Sequence, residues 1–146
     1  MLEKVELLGK GEQVKLRRAS GRMLSEVDAD TMSAFYHACS CKWEFEERVF
    51  PAACFLAGQG KNGSVKLPEA WKDYLKRKNS DSLDSRMIKL LDMQWGPNLV
   101  RSMWRIVKMM DRKDIDCESL AWDLIHWNEE DRRVQKAWLR IIYSNR

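Results

Sequence analysis

Alternating apolar and polar runs bounded by turns, the mark of a half-buried strand, are missing from this chain. Helix breakers are also scarce, with 3 Pro and 7 Gly in 146 residues. Abundant Leu, Met, Lys, Arg and Glu then favour helix over sheet, and an all-α fold is expected. No apolar run approaches the roughly 20 residues needed to cross a bilayer. The opening MLEKVELLGKGE is charged throughout and has no apolar secretion core. The expectation is a cytoplasmic protein with reduced thiols.

Catalytic and metal signatures are equally thin. Only His37 and His126 are present, and no nucleophile elbow, paired-carboxylate motif or histidine-rich metal motif is visible. His126, between Ile125 and Trp127 on an apolar stretch, reads as packed rather than reactive. His37, Cys39 and Cys41 (HACSC) invite a zinc reading, but zinc sites usually show Cys-x2-Cys with a second matching pair. Here one residue separates the cysteines, and Cys54 and Cys117 form no motif, so buried thiols are the default. The glycine-rich GQGKNGS (58–64) lacks the Gly-Lys-Ser/Thr ending of a phosphate loop and reads as linker. No enzyme, metal, cofactor or small-molecule substrate is expected.

What is present is core material and unevenly spread charge. The chain is 45% hydrophobic, with 7 Trp and 8 Met, and its net charge is +4. Residues 1–60 hold 8 Lys/Arg against 9 Asp/Glu, residues 61–113 hold 13 against 6, and residues 114–146 hold 5 against 7. The middle is therefore strongly basic, which suggests an anionic partner, most simply nucleic acid. A membrane surface is disfavoured, since no lipidation signal accompanies the charge.

Within that middle, Asn98 to Lys113 carries the sharpest pattern. At about 100° per residue, Arg101, Arg105, Lys108 and Arg112 fall in one narrow sector, with Leu99, Val100, Met103, Ile106, Val107 and Met110 opposite. Arg101 to Arg112 spans roughly 16 Å, the reach of about five phosphates along one strand. Taken alone, such a face is more often solvated surface. Its companions change the balance: Arg86 and Lys89 on the preceding helix, Lys113 after the rail, and Arg17 and Arg18 nearer the start. Cations on several helices without a recognition-helix signature favour backbone contact over base reading. The tryptophans Trp95, Trp104, Trp122, Trp127 and Trp138 sit at helical spacings that make most of them core or interface, with base stacking the minority reading.

Along the chain, short helices are expected at 2–8, 12–20 and 32–39, with 22–31 as a connection and Gly21 closing the second. Residues 43–57 form the most apolar segment, and Pro51 inside it predicts a kink or restart. A helix opens near Pro68, and the break at Asn79–Ser82 divides an N-terminal helical lobe, 1–78, from a C-terminal bundle of about four helices, 79–146. Asp116 is expected to cap one helix of that bundle, and Asn128 with Asp131 the last.

The order LRRAS (16–20), SAFYHA (33–38), RVFPAACFLA (48–57), SRMIKLLD (85–92), IDCESLAWDLIHWN (115–128) and VQKAWLRIIY (134–143) resembles the CasB small subunit of the type I-E CRISPR surveillance complex, Cascade. The resemblance runs through nearly the whole chain from Gly11. It implies two small helical bundles, no catalysis, and a pair of copies beside the backbone and large subunits. It also implies a basic face on the crRNA-guided target strand and the displaced DNA strand, holding the R-loop open. Carried over by position, the family's arginines fall on Arg17, Arg18, Arg48, Arg86 and Arg105. The chain departs from the family in a short middle loop and in a glycine-rich stretch reduced to NGSVKLPEAW. A reading of a different class is a protein adaptor whose basic face docks an acidic partner.

Overall fold

The computed structural model describes residues 1–79 and 81–144. In chain order the helices are α1 (Lys10–Arg18), α2 (Ala29–Ala38), α3 (Glu46–Gln59), α4 (Leu67–Lys78), α5 (Asp81–Asp92), α6 (Pro97–Met110), α7 (Cys117–Ile125) and α8 (Arg133–Tyr143). Short 3-10 turns at Val5–Leu7, Leu24–Glu26 and Trp43–Phe45 precede α1, α2 and α3. Among the described residues there is no strand, only an isolated parallel bridge between Val65 and Ile115. No helix among them is long and apolar enough to cross a membrane.

The core is organised around α3. Its run from Val49 to Ala57 is buried, and Ala52 and Ala53 let neighbouring backbones approach closely. Helix α1 packs on it from one side and α7 from another. The helix continues unbroken through Pro51 instead of restarting. Proline at this depth forfeits one backbone hydrogen bond, and the surrounding burial offsets that loss. At its start, the Glu47 carboxylate accepts the N–H groups of Leu24 and Ser25 at 2.8 and 2.9 Å, tying the Leu24–Glu26 turn to α3.

A second set of contacts brings α4 against α8 and α6, with α5 along α6. Trp71 and Tyr74 of α4 stack with ring centroids 5.4 Å apart, and Trp138 of α8 meets Trp127 edge-on at 5.4 Å. The Trp127 indole donates to the Met93 carbonyl at 2.8 Å, and the Trp138 indole donates to Asp123 at 2.8 Å. Burial holds the Asp123 carboxyl above its ordinary value. The lobe boundary expected at 78/79 falls between α4, capped by a left-handed Asn79, and α5. Packing crosses it in both directions: α4 lies with the C-terminal helices and α7 with α3.

Several local expectations are corrected. Helix α2 starts at Ala29, earlier than Met32, because Asp28 accepts the Thr31 N–H at 2.9 Å. Helix α8 begins only at Arg133, and Asn128 instead accepts the Trp95 N–H at 3.0 Å. Asp116 caps α7 as expected, accepting the Ser119 N–H at 3.0 Å. The linker at 58–64 is firmly docked: Gly63 N–H donates to Ile115 O at 3.0 Å, Val65 N–H to Asp114 O at 3.0 Å, and Asp116 N–H to Val65 O at 2.8 Å. Any side chain at Gly63 would overlap the Asp114 backbone, so glycine is needed there for close approach. The break before α5 is shorter than expected, since α5 already begins at Asp81; Ser80 lies outside the described residues.

Candidate nucleic-acid interface

Helix α6 is set in place by its apolar stripe. Leu99, Val100, Met103, Ile106 and Met110 are buried, which leaves Arg101, Arg105 and Lys108 exposed on the opposite side. Pro97 opens the helix at a position where its missing N–H costs nothing. The helix ends at Met110, where Asp111 turns left-handed at φ 51° and its N–H closes on Val107 O.

That early ending shortens the expected rail. Arg112 lies beyond the helix and is held by Asp114, at 2.9 and 2.7 Å, and by Asp73 at 3.2 Å. These bonds raise the Arg112 pKa, and the same guanidinium lowers that of Asp114. The continuous row is therefore Arg101–Arg105–Lys108, about 10 Å long and matched to about three phosphates. Arg101 donates to Asn98 at 2.6 Å, which orients it along the helix.

Helix α5 supplies the companions. Arg86 and Lys89 are exposed while Met87, Leu90 and Leu91 are buried. A hollow of about 400 Å³ between α5 and α6 brings Arg86 and Lys89 together with Arg105, floored by Met93 and Ile106 and edged by Ser85 and Ser102. On the other flank, a hollow of about 320 Å³ joins Arg17 of α1 to Lys108, Arg112 and Lys113. Among the described residues, no ion pair engages Arg17, Arg86, Lys89, Arg101, Arg105, Lys108 or Lys113. Arg18 is exposed on the last turn of α1 but lines neither hollow.

Arg48 stands apart. Its guanidinium donates to Leu124 O at 2.9 Å near the end of α7 and lies 4.6 Å over the Trp95 ring. Partial burial lowers its pKa. It is tied into the packing of α3 on α7 and lines neither basic hollow.

Sequence reasoning passed over two features. Lys76 and Arg77, in the last turn of α4, line a third hollow with Met110, Asp111 and Arg112; the run KRK at 76–78 was the available signal. The second is the aromatic side of the Arg17 hollow, where Phe55 and Trp104 stack at 5.4 Å and 15°. No periodicity pairs residues that far apart in sequence.

The other reactive side chains are dispersed. His37 pairs with Glu12 at 2.7 Å, and His126, expected inside, is half-exposed and pairs with Glu129 at 2.7 Å. Cys54 and Cys117 are buried, while Cys39 and Cys41 are partly exposed. Burial pushes the Cys39 and Cys117 thiols up to about 12 and raises Cys41 and Cys54. Among the described residues, no group of three or more His, Cys, Asp or Glu is placed to hold a metal ion.

Comparison with known proteins places this arrangement. The fold matches a Cse2-family CRISPR-associated protein from Thermus thermophilus with a TM-score of 0.80 and 21% identity, over 97% of this chain and 94% of that one. It matches CasB from M. ruber with a TM-score of 0.71 and 21% identity, over 93% and 86% of the two chains. A chain of a CRISPR RNA-guided surveillance complex matches with a TM-score of 0.74 and 19% identity, over 97% and 88%. No curated protein sequence matches. At these identities the structural likenesses establish the fold, and the sequence itself carries the assignment. A family model described as CRISPR-associated protein Cse2 matches residues 13–143. That span covers most of the chain, which therefore belongs to the CRISPR-associated Cse2 family.

Proposed function

We propose that this chain is the non-catalytic small subunit of a type I-E Cascade complex, holding nucleic-acid backbone on the face built by α5 and α6. Family membership and the likeness to a chain of an RNA-guided surveillance complex support its place in such an assembly. The observation that carries the binding role is a set of exposed cations with no ion pair among the described residues: Arg86, Lys89 and Arg105 line the groove between α5 and α6, and Arg101 and Lys108 continue the row along α6. Like charges this close repel one another, and a polyanion relieves the repulsion while releasing its own counterions. Backbone contact of this kind carries no sequence information. Guide–target pairing reads sequence in guided effectors, and a basic protein surface stabilises the opened strands. In this reading the groove holds target or displaced DNA beside the crRNA duplex, a second copy extends it, and the R-loop lasts longer.

The deciding experiment assembles the complex with the unaltered subunit, without it, or with Arg101→Glu/Arg105→Glu, on duplex target DNA. R-loop lifetime is followed through chemical reactivity of the unpaired displaced strand. The expected result is a shortened lifetime both without the subunit and with the double reversal, the complex remaining intact. An unchanged lifetime overturns the backbone-binding role. The second reading is the adaptor whose basic face docks an acidic partner, since the same exposed cations would serve an acidic protein surface. Competition by short single-stranded DNA of arbitrary sequence separates the two, since an acidic-protein site would resist it.

A further inference from the structure

The hollow between α1, α3, α6 and the segment after α6 differs in kind from the groove beside α5. Its lining is largely apolar, with an aromatic pair at one side. Trp104 lies stacked on Phe55, and Val107, Ile115 and Cys117 line the hollow with Gly58 and the polar Gln59. The Trp104 ring is pinned at its edge by Gly21, where an added Cβ would come within 2.8 Å of the indole. Lys108 reaches over the indole, its Nζ 5.4 Å from the ring centroid. The rim carries Arg17, Lys108 and Lys113, together with Arg112, already engaged by Asp114 and Asp73, and the carboxylate of Asp111. At about 320 Å³ the hollow sits at the small end of ordinary ligand sites.

Position links this hollow to the cation row. On α6, Trp104 falls about 40° from Lys108 around the helix, at the edge of the sector holding Arg101, Arg105 and Lys108. A strand laid along that row passes the mouth of the hollow. We propose that the hollow takes one unstacked base of a single strand, seated on the partly exposed Trp104 ring that the buried Phe55 backs, with flanking phosphates on Arg17, Lys108 and Lys113. This rests on the backbone-binding reading above and deepens it: the chain grips single strands through a base as well as through phosphates. An aromatic side chain from an acidic protein segment would share part of this chemistry. The unpaired rim cations and their continuity with the row favour the nucleotide.

The test uses the full chain at low salt, with fluorescence anisotropy of a labelled oligothymidylate and of an abasic strand of equal length and charge. Stacking one base predicts tighter binding of the intact strand by about 5- to 100-fold. Trp104→Leu is expected to remove that difference while leaving the dependence on salt unchanged, and Trp104→Phe to retain part of it. Equal binding of the two strands by the unaltered chain overturns the base site and leaves the backbone reading standing. Failure to bind either strand removes both. Trp104-dependent binding of an acidic peptide carrying one phenylalanine, with no preference between the strands, assigns the hollow to a protein segment and likewise overturns the proposal.

Discussion

The seam between α3 and α7 and the outward face of α6 treat arginine in opposite ways. In the seam, Arg48 is partly buried, donates to a helix-end carbonyl and covers an indole. Arg132, just before α8, does similar work at the end of α5, donating to Leu91 O at 2.6 Å. On α6, Arg101 and Arg105 remain in water with no acidic partner among the described residues. An arginine bonded into the packing must break those bonds to meet a phosphate, whereas Arg105 sheds only water and counterions and Arg101 gives up at most its exposed bond to Asn98. Composition counts both kinds alike. The comparison shows that the useful charge of this basic chain is smaller, and more localised, than its arginine content.

The comparison can be broken hardest at the seam. Gly63→Ala forces the docked 58–64 loop off the Asp114 backbone and should destabilise the fold by about 3 kcal/mol or more, read as a loss in urea midpoint. Arg48→Ala removes the shorter of the two hydrogen bonds to the Leu124 carbonyl, leaving the one from the Trp127 N–H at 3.3 Å, and uncovers Trp95, with an expected cost of about 2 kcal/mol. Arg105→Ala, in the same unfolding assay, should stay within about 0.5 kcal/mol, because nothing in the fold depends on it. If the two arginine variants cost the same, the division between structural and available cations fails.

Asp116→Ala removes the α7 cap and its bond from Asn62, and should cost about 1 kcal/mol. A small, pH-dependent effect is expected at Asp114, just beyond the end of α6. Arg112 lowers the Asp114 pKa below its ordinary 3.8, so the folded form holds its carboxylate at lower pH than the unfolded form does. This contribution is complete above that ordinary value and is lost as pH falls through the lowered one. Half-exposure and screening keep it below about 1 kcal/mol. An Asp114→Asn variant should therefore lose stability at neutral pH and converge with the unaltered chain in acid.

Much was legible beforehand, because helices announce themselves locally. The α6 stripe, the Asp116 cap and the apolar run of α3 follow from residues within one or two turns of one another. Misreadings arose where a local signal met a distant partner. Asn128 looked like a cap but turned to the Trp95 backbone. Arg112 continued the periodicity on paper, yet the left-handed Asp111 ended the helix and two aspartates captured the guanidinium.

What the sequence determined by itself is the helical character, the burial of one side of α6 and the excess positive charge of residues 61–113. Each depends on spacing along a single segment, where backbone geometry alone sets which side chains share a face. Only the tertiary structure decided which cations stay free, that Arg17 joins Lys108 and Lys113, and that Trp104 lies on Phe55 at their centre. Those outcomes depend on which helices pack together, and packing is settled by the fit of the whole core rather than by any stretch of it.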